Sequence, residues 1–270
     1  MQMKTLVFAN QKGGVGKSST GTQLAFYAAR EGLRVLYLDL DHQRHSSNPI
    51  VRSKLAVVAP FTASQLLRGP LSPLPEGAFV LVAGDDQLSG LEREPARHND
   101  FANNLAGLLA ANAARFDLCI IDTNPNPDIR YGVALVIANY VLSPVQLNQE
   151  ALEGIGGLLN HARYGVGKIK QTLNAKLELI GILPNAVEPT PFQRENFLQL
   201  VERHAQLLIA MEPGVRKYAF IAKRTAIAES QASGVPLYDL KKTAAREAWD
   251  EIKPVFDVIL KRMHFELENK

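Results

Sequence analysis

Residues 5–32, TLVFANQKGGVGKSSTGTQLAFYAAREG, join a short apolar run to a longer amphipathic one through a loop holding Gly13, Gly14 and Gly16. The apolar run 5–9 reads as a buried strand, and 16–32 reads as a helix closed by Gly32. The turn between them must curl tightly, which glycine permits because it accepts positive φ at little steric cost. Backbone N–H groups in such a loop can converge on one point, and the start of the helix adds its positive end there. The result is an anion cradle suited to phosphate. Gly16-Lys17-Ser18 supply the end of the pattern G-x-x-x-x-G-K-[ST]. Counting back, the first glycine of that pattern would stand at 11, where the chain has Gln11, followed by a second lysine, Lys12. Three glycines remain, so the cradle is expected to survive. Its nucleotide-binding residues are then Gly13, Gly14, Val15, Gly16, Lys17, Ser18 and Ser19, with Lys17 reaching the β- and γ-phosphates and Ser18 offering a hydroxyl to Mg²⁺.

The rest of the chain repeats this alternation. Apolar runs at 34–41, 79–84, 117–123, 140–145, 177–185 and 218–222 read as further strands. Helical patterns stand at 64–69, 100–116, 150–169, 191–210 and 242–263, the last with Pro254 expected to bend it. Strands apolar on both faces, separated by helices, imply an α/β fold: a doubly wound, mostly parallel sheet with helices on both faces. No repeat or low-complexity linker divides the 270 residues, so one domain over 1–270 is expected, with the proline-rich stretch 70–78 as a loop. Only nine residues precede Asn10, so no operator-binding domain is expected ahead of the loop, and sequence-specific repression by this chain alone is not expected. A net charge of +3 gives no global field that demands nucleic acid, though it allows a local basic face. The lone Cys119 excludes an internal disulfide and argues against a cysteine-held metal cluster. The residues before the loop are too few for a secretory leader, and no run reaches membrane-span length, so a cytoplasmic setting is expected.

In doubly wound sheets ligands gather beyond the carboxyl ends of the strands. Acids stand there: Asp39 and Asp41 in LYLDLDHQ, and Asp122 in CIIDTNPNPD. An aspartate closing an apolar strand is costly to bury unless it meets a cation or water, and beside a phosphate cradle Mg²⁺ is the natural partner.

The segment KGGVGKSS resembles the deviant Walker A signature of the ParA/MinD family of dimerising ATPases. DLDHQ is similar to the family's DLDPQ, with His42 in place of proline, and DTNPNPD to its D-x-P-P, with Asn124 in place of a proline. Residues 142–159, 181–189 and 220–237 resemble later family segments in the right order. The run KKTAAREAWDEI looks most like IncC-type plasmid partition ATPases. The resemblance implies a P-loop NTPase that binds ATP and Mg²⁺ and closes as a homodimer with two nucleotides sandwiched face to face. Lys12 would cross to the partner's phosphates, Asp122 and Asp39 would serve the metal with Ser18, and Asp41 would orient the attacking water. Lys12, Lys17 and Asp41 are thus the expected catalytic residues. Pro184 and Asn185 would touch adenine, although Asn185 also reads as a turn residue closing its strand.

Family members divide by what the ATP dimer binds. The partition branch binds DNA without sequence preference and is stimulated by a ParB-like centromere-binding protein, which places it on the nucleoid when ATP-bound. The basic residues expected to meet DNA phosphates are Arg194, Arg216, Lys217, Lys223, Arg224, Lys241, Lys242 and Arg246. In chromosomal relatives an arginine stands three residues before the glutamate of an aEA motif; here that place is Ala226, with Lys223 and Arg224 nearby as substitutes. The alternative is a MinD-like positioning ATPase with a membrane-binding tail. The last residues, KRMHFELENK, carry Glu266 and Glu268 among Met263, Phe265 and Leu267, which disfavours an anchor and leaves no membrane partner expected. A metal-cluster carrier would need paired cysteines, and a non-hydrolysing adaptor would lack Asp41.

Overall fold

The computed structural model describes residues 3–69 and 72–266. Residues 267–270, including Leu267 and Glu268 of the tail reading, lie outside the described residues, as do Pro70 and Leu71 of the proline-rich loop. Seven strands form one sheet: β1 (Lys4–Phe8), β2 (Val35–Asp39), β3 (Val57–Val58), β4 (Phe79–Val82), β5 (Leu118–Asp122), β6 (Tyr140–Val145) and β7 (Glu178–Pro184). Every described pair is parallel, in the order β3-β4-β2-β5-β1-β6-β7. The chain leaves β1 toward one edge, returns to insert β5 beside it, and then builds toward the other edge.

Alternation along the strands sorts the core into two layers. Leu6, Phe8, Val35, Tyr37, Leu118 and Ile120 face one side, with α1 (Lys17–Arg30), α9 (Thr225–Ser233) and α10 (Thr243–Arg262) over them. Val7, Leu36, Leu38, Cys119 and Ile121 face the other, under α3 (Ala63–Arg68), α4 (His98–Ala111) and α5 (Ile129–Ile137). Burial pushes the Cys119 thiol up, so it is a small apolar filler and not a nucleophile. A smaller cluster joins β6 and β7 to α6 (Gln149–Asn160) and α8 (Pro191–His204) through Val145, Ile155, Ile182 and Leu200. The remaining helices are α2 (Ser47–Ser53) and α7 (Val166–Thr172).

Several expectations are corrected. The stretch 218–222 is not a strand. It crosses the end of β7, donating from Ile221 N–H to the Pro184 carbonyl at 2.9 Å and accepting from Val187 N–H at 3.0 Å, and Phe220 stays 48% exposed. Without a neighbour in register it makes only isolated bridges. The mostly helical run expected over 150–169 forms two helices, because His161 Nδ1 accepts from the Arg163 and Tyr164 N–H groups and closes a turn. A side chain at Gly165 would lie 2.6 Å from the His161 nitrogen, so that turn admits only glycine there. The long helix expected over 242–263 is found as α10, with Pro254 inside it and facing solvent, where the carbonyl left without a donor can be met by water. The proline-rich loop is tied down by Arg115, which donates to the Leu74 and Pro75 carbonyls at 3.2 and 2.7 Å.

Candidate nucleotide site

The strand ends set the site. Phe8 and Asp39 both register against Asp122, so β2, β5 and β1 stop side by side. From β1 the chain enters the glycine loop. Gly14 has φ +73° and Gly16 has φ +91°, the left-handed region that side chains resist. Gly16 is the N-cap of α1. A β-carbon there would stand 1.9 Å from Asn185 Nδ2, which donates to the Val15 carbonyl at 2.8 Å. The buried Asn185 amide thus braces the loop from behind. Sequence reading offered this residue to adenine or to a turn; neither it nor Pro184 lines the cavity in front of the loop, and the Pro184 carbonyl accepts from Ile221. Gly16→Ala is therefore expected to weaken ATP binding about five- to thirtyfold, since left-handed strain is worth about 1–2 kcal/mol. Titration with a fluorescent ATP analogue measures this. Gly107→Ala, in open space on α4, serves as the control that leaves affinity unchanged.

Lys17 is 6% exposed and donates to the Lys12 carbonyl at 3.2 Å. Desolvation lowers its pKa, against the opposing pull of Asp122 and Asp41. The Lys12 side chain goes elsewhere. Its ammonium reaches Asn148 Oδ1 at 3.4 Å, in the loop after β6, and it does not line the cavity. Asn10 fixes the start of the loop: its Oδ1 accepts from Lys12 N–H at 2.8 Å while its Nδ2 donates to the Pro144 carbonyl at 2.8 Å. Gln11 donates to the Gly157 carbonyl at 3.2 Å, tying the loop to α6.

The two strand-end acids are fully buried. Asp39 Oδ1 accepts from Asp41 N–H at 3.0 Å, and its Oδ2 accepts from Ser47 N–H and Oγ–H at 2.9 and 2.6 Å. Both oxygens are engaged by protein donors, so Asp39 holds the turn that carries Asp41. Asp122 Oδ2 accepts from the Ser46 hydroxyl, whereas Oδ1 has no hydrogen-bond partner among the described residues. Burial pushes both carboxyls up, opposed at Asp122 by the Ser18 and Ser46 hydroxyls and Lys17. A buried carboxylate oxygen left over beside Ser18 and Lys17 fits a cation or its water. No cluster of three or more His, Cys, Asp or Glu could hold an ion among the described residues, so any cation here would draw ligands from phosphate and water, as Mg²⁺ does. The serine pair Ser46-Ser47 escaped sequence reading. Its signal is two adjacent hydroxyls at the start of α2, a few residues past the acids.

In front of the loop lies a cavity of about 460 Å³, bounded by Gly13, Gly14, Gly16, Lys17, Ser18 and Ser19, with Asp41, Gln43 and Pro125 on its walls. Asp41 is 4% exposed; its Oδ1 accepts from Gln43 N–H at 3.0 Å, and His42 Nδ1 stands 3.3 Å from the same oxygen. The segment after β5 closes the other side. Thr123 Oγ donates to the Phe8 carbonyl at 2.8 Å, and the buried Asn124 donates to Asn126 O and Asp128 Oδ2, both at 3.0 Å. Left-handed glycines, a buried lysine, a spare carboxylate oxygen and an acid on the wall define a site for a nucleoside triphosphate with Mg²⁺.

The family model of the AAA domain matches residues 3–179. "Protein IncC" of Escherichia coli is 35% identical over 275 residues, covering 97% of this chain and 70% of that protein. The "Chromosome-partitioning ATPase Soj" of Thermus thermophilus is 37% identical over 190 residues, 67% of this chain and 69% of its own. Among solved structures, an ATP complex of a Cyanothece McdA variant superposes with a TM-score of 0.78 at 20% identity, covering 100% of this chain and 99% of that one. The chain therefore is a P-loop ATPase. It belongs to the ParA family of partition ATPases, alongside IncC and Soj.

Of the basic residues expected to meet DNA, Lys217, Lys223 and Arg224 line one cavity, and three of the set are engaged in ion pairs. Lys223 pairs with Glu188 at 3.0 Å, Lys242 with Glu229 at 2.8 Å, and Arg224 with Glu251. Arg194, Arg216, Lys217, Lys241 and Arg246 are exposed and outside the ion pairs found among the described residues. Ala226 is buried, so its position faces the core and not a ligand. At the C-terminal end, Met263 and Phe265 are buried in the core, with Lys4 Nζ 4.5 Å from the centre of the Phe265 ring. These side chains are not displayed for a lipid surface, and no helix among the described residues is long and apolar enough to cross a membrane.

Proposed function

We propose that this chain is a partition ATPase whose Mg²⁺-ATP-bound form is a homodimer that holds non-specific DNA, is released when a ParB-like partner stimulates hydrolysis, and so moves or positions a plasmid or chromosome in the cytoplasm. The observation that carries the reading is the division between two lysines five residues apart. Lys17 is buried in the cradle, while the Lys12 ammonium points past the cavity to the loop after β6. On this reading Lys17 serves the nucleotide of its own chain and Lys12 crosses to a partner's.

Within the chain the roles follow from position. The glycine-loop amides and Lys17 bind and orient the phosphates. Ser18 and Asp122 Oδ1 would hold Mg²⁺, which would supply positive charge to offset that of the phosphate oxygens. Asp39 acts one step back, through the turn that carries Asp41. Both contacts of Asp41 fall on Oδ1, which leaves Oδ2 for the attacking water. Partition is in the name of the Thermus relative, and the Cyanothece McdA structure is a complex with ATP, both in keeping with this reading.

Co-sedimentation with DNA tests the proposal, run with ATP, ADP and no nucleotide, and with anionic liposomes in parallel. DNA binding with ATP alone is expected. Each phosphate contact adds about 0.9 to the slope of log affinity against log salt, so R216A/K217A is expected to lower that slope by about 2. Liposome binding without DNA binding would sink the reading in favour of a membrane-positioning ATPase.

A further inference from the structure

His42 stands where the family motif carries proline, and the structure gives it two neighbours, one from the turn after β2 and one from the start of α5. Its Nδ1 lies 3.3 Å from Asp41 Oδ1 and 3.3 Å from Arg130 Nη1. An ionised carboxylate can only accept a hydrogen bond and a guanidinium can only donate one. A single nitrogen cannot satisfy both at once. With a proton on Nδ1 it donates to Asp41; without one it accepts from Arg130.

Arg130 is 4% exposed, in the first turn of α5, and is held rigidly. Asp128 caps that helix by accepting from Arg130 N–H at 3.0 Å, and it binds the guanidinium through Nε at 3.2 and 3.1 Å and Nη2 at 2.5 Å. The same carboxylate accepts from Asn124 Nδ2 at 3.0 Å. Asn124 precedes Pro125, which faces Gly13 across the cavity. A continuous polar chain thus runs Asp41–His42–Arg130–Asp128–Asn124, joining the turn after β2 to the segment after β5. Buried arginine–carboxylate pairs hold one geometry well, because the planar fork fixes direction as well as distance.

We infer that His42 and Arg130 are positioning residues that set the orientation of Asp41 according to the conformation of the segment 124–130. When Nδ1 is engaged by Arg130, Asp41 Oδ1 keeps only its Gln43 contact; when Nδ1 donates to Asp41, the carboxylate is fixed from both sides. This inference rests on the reading of Asp41 as the residue that orients water.

The experiment uses the full chain, single-turnover and steady-state ATP hydrolysis, and thermal melting to confirm folding. In H42N the amide falls near the position of Nδ1; in H42Q it reaches beyond it. H42Q is expected to lose about tenfold in kcat with KM for ATP within about twofold of wild type, because a misplaced orienting group slows the step without loosening the substrate. H42N is expected to recover most of that loss. R130Q is expected to match H42Q, and the double variant H42Q/R130Q to lose no more than either alone, as for groups acting in one chain. H42Q at wild-type kcat, equal losses in H42N and H42Q, or losses that multiply in the double variant overturn the inference. If R130Q does not fold, the contrast between H42N and H42Q decides alone. D41A separates the two readings: D41A inactive beside a fully active H42Q removes the link and keeps Asp41, whereas an active D41A removes both.

Discussion

Asp41→Ala is expected to halt phosphate release while ATP stays bound, lowering kcat by about 10²–10⁴-fold, the range that a positioned acid–base group supplies. No hydrogen bond of the phosphate cradle among the described residues involves this side chain. Among the described residues the Asp41 carboxylate has polar contacts with Gln43 and His42, on its own turn, and the Asp39 carboxylate that fixes that turn receives the Asp41 backbone N–H and not its carboxylate. Affinity for ATP should therefore change little. Removing a negative charge near Lys17 favours the triphosphate, if anything. The ATP-bound form should then accumulate as a dimer, which light scattering after gel filtration reads directly. Unchanged hydrolysis would remove Asp41 from the mechanism and move attention to the segment after Asp122, where Asn124 keeps a buried Oδ1 without a partner among the described residues.

The fold was legible in the sequence wherever burial is symmetric. The run 140–145 became β6 residue for residue, because a strand covered on both faces is mostly apolar, with Ser143 buried against Asn10 as its polar exception, and it ends where Gln146 begins. The same rule hid α5. Seven of its nine residues are buried, so it carries no amphipathic period, and its start rests on an aspartate cap that is common in loops as well. The stretch 218–222 shows the converse error: an apolar run is a strand only if a neighbour is available in register, and that is settled by chain segments far away. The site divides in the same way. The glycine loop could be read because its chemistry is written in backbone conformation, and glycine marks that conformation. The acids could be read because they end apolar strands. Ser46 on Asp122, Asn185 behind Val15 and Arg130 against His42 could not, since each joins positions that lie 76, 170 and 88 residues apart. Asn185 is the instructive case. Its place at a strand end suggested ligand or turn, and only the path of the loop beside it shows that its amide supports Val15 and excludes any β-carbon at Gly16.

Lys12→Ala is expected to leave ATP binding nearly intact and to abolish both ATP-dependent dimerisation and turnover. Within one chain the contribution of Lys12 to the cradle comes from its backbone: its carbonyl accepts from Lys17 Nζ and its N–H donates to Asn10, and alanine keeps both. The ammonium, directed to Asn148 at 3.4 Å, adds nothing to the lining of the cavity. A cation inserted from a partner onto a transferring phosphoryl group is worth about 10³–10⁵ in rate, so a role in trans predicts loss of that size from a residue that barely affects binding. A mixing experiment settles which chain Lys12 serves. Lys12→Ala and Asp41→Ala are each expected to be inactive alone. In a mixed dimer, the nucleotide on the Lys12→Ala subunit has its own Asp41 and Lys17 and receives Lys12 from the other subunit. Turnover should therefore return on mixing two dead proteins. If Lys12 served its own chain, every site in the mixture would lack either Lys12 or Asp41, and the mixture would stay as inactive as its parts.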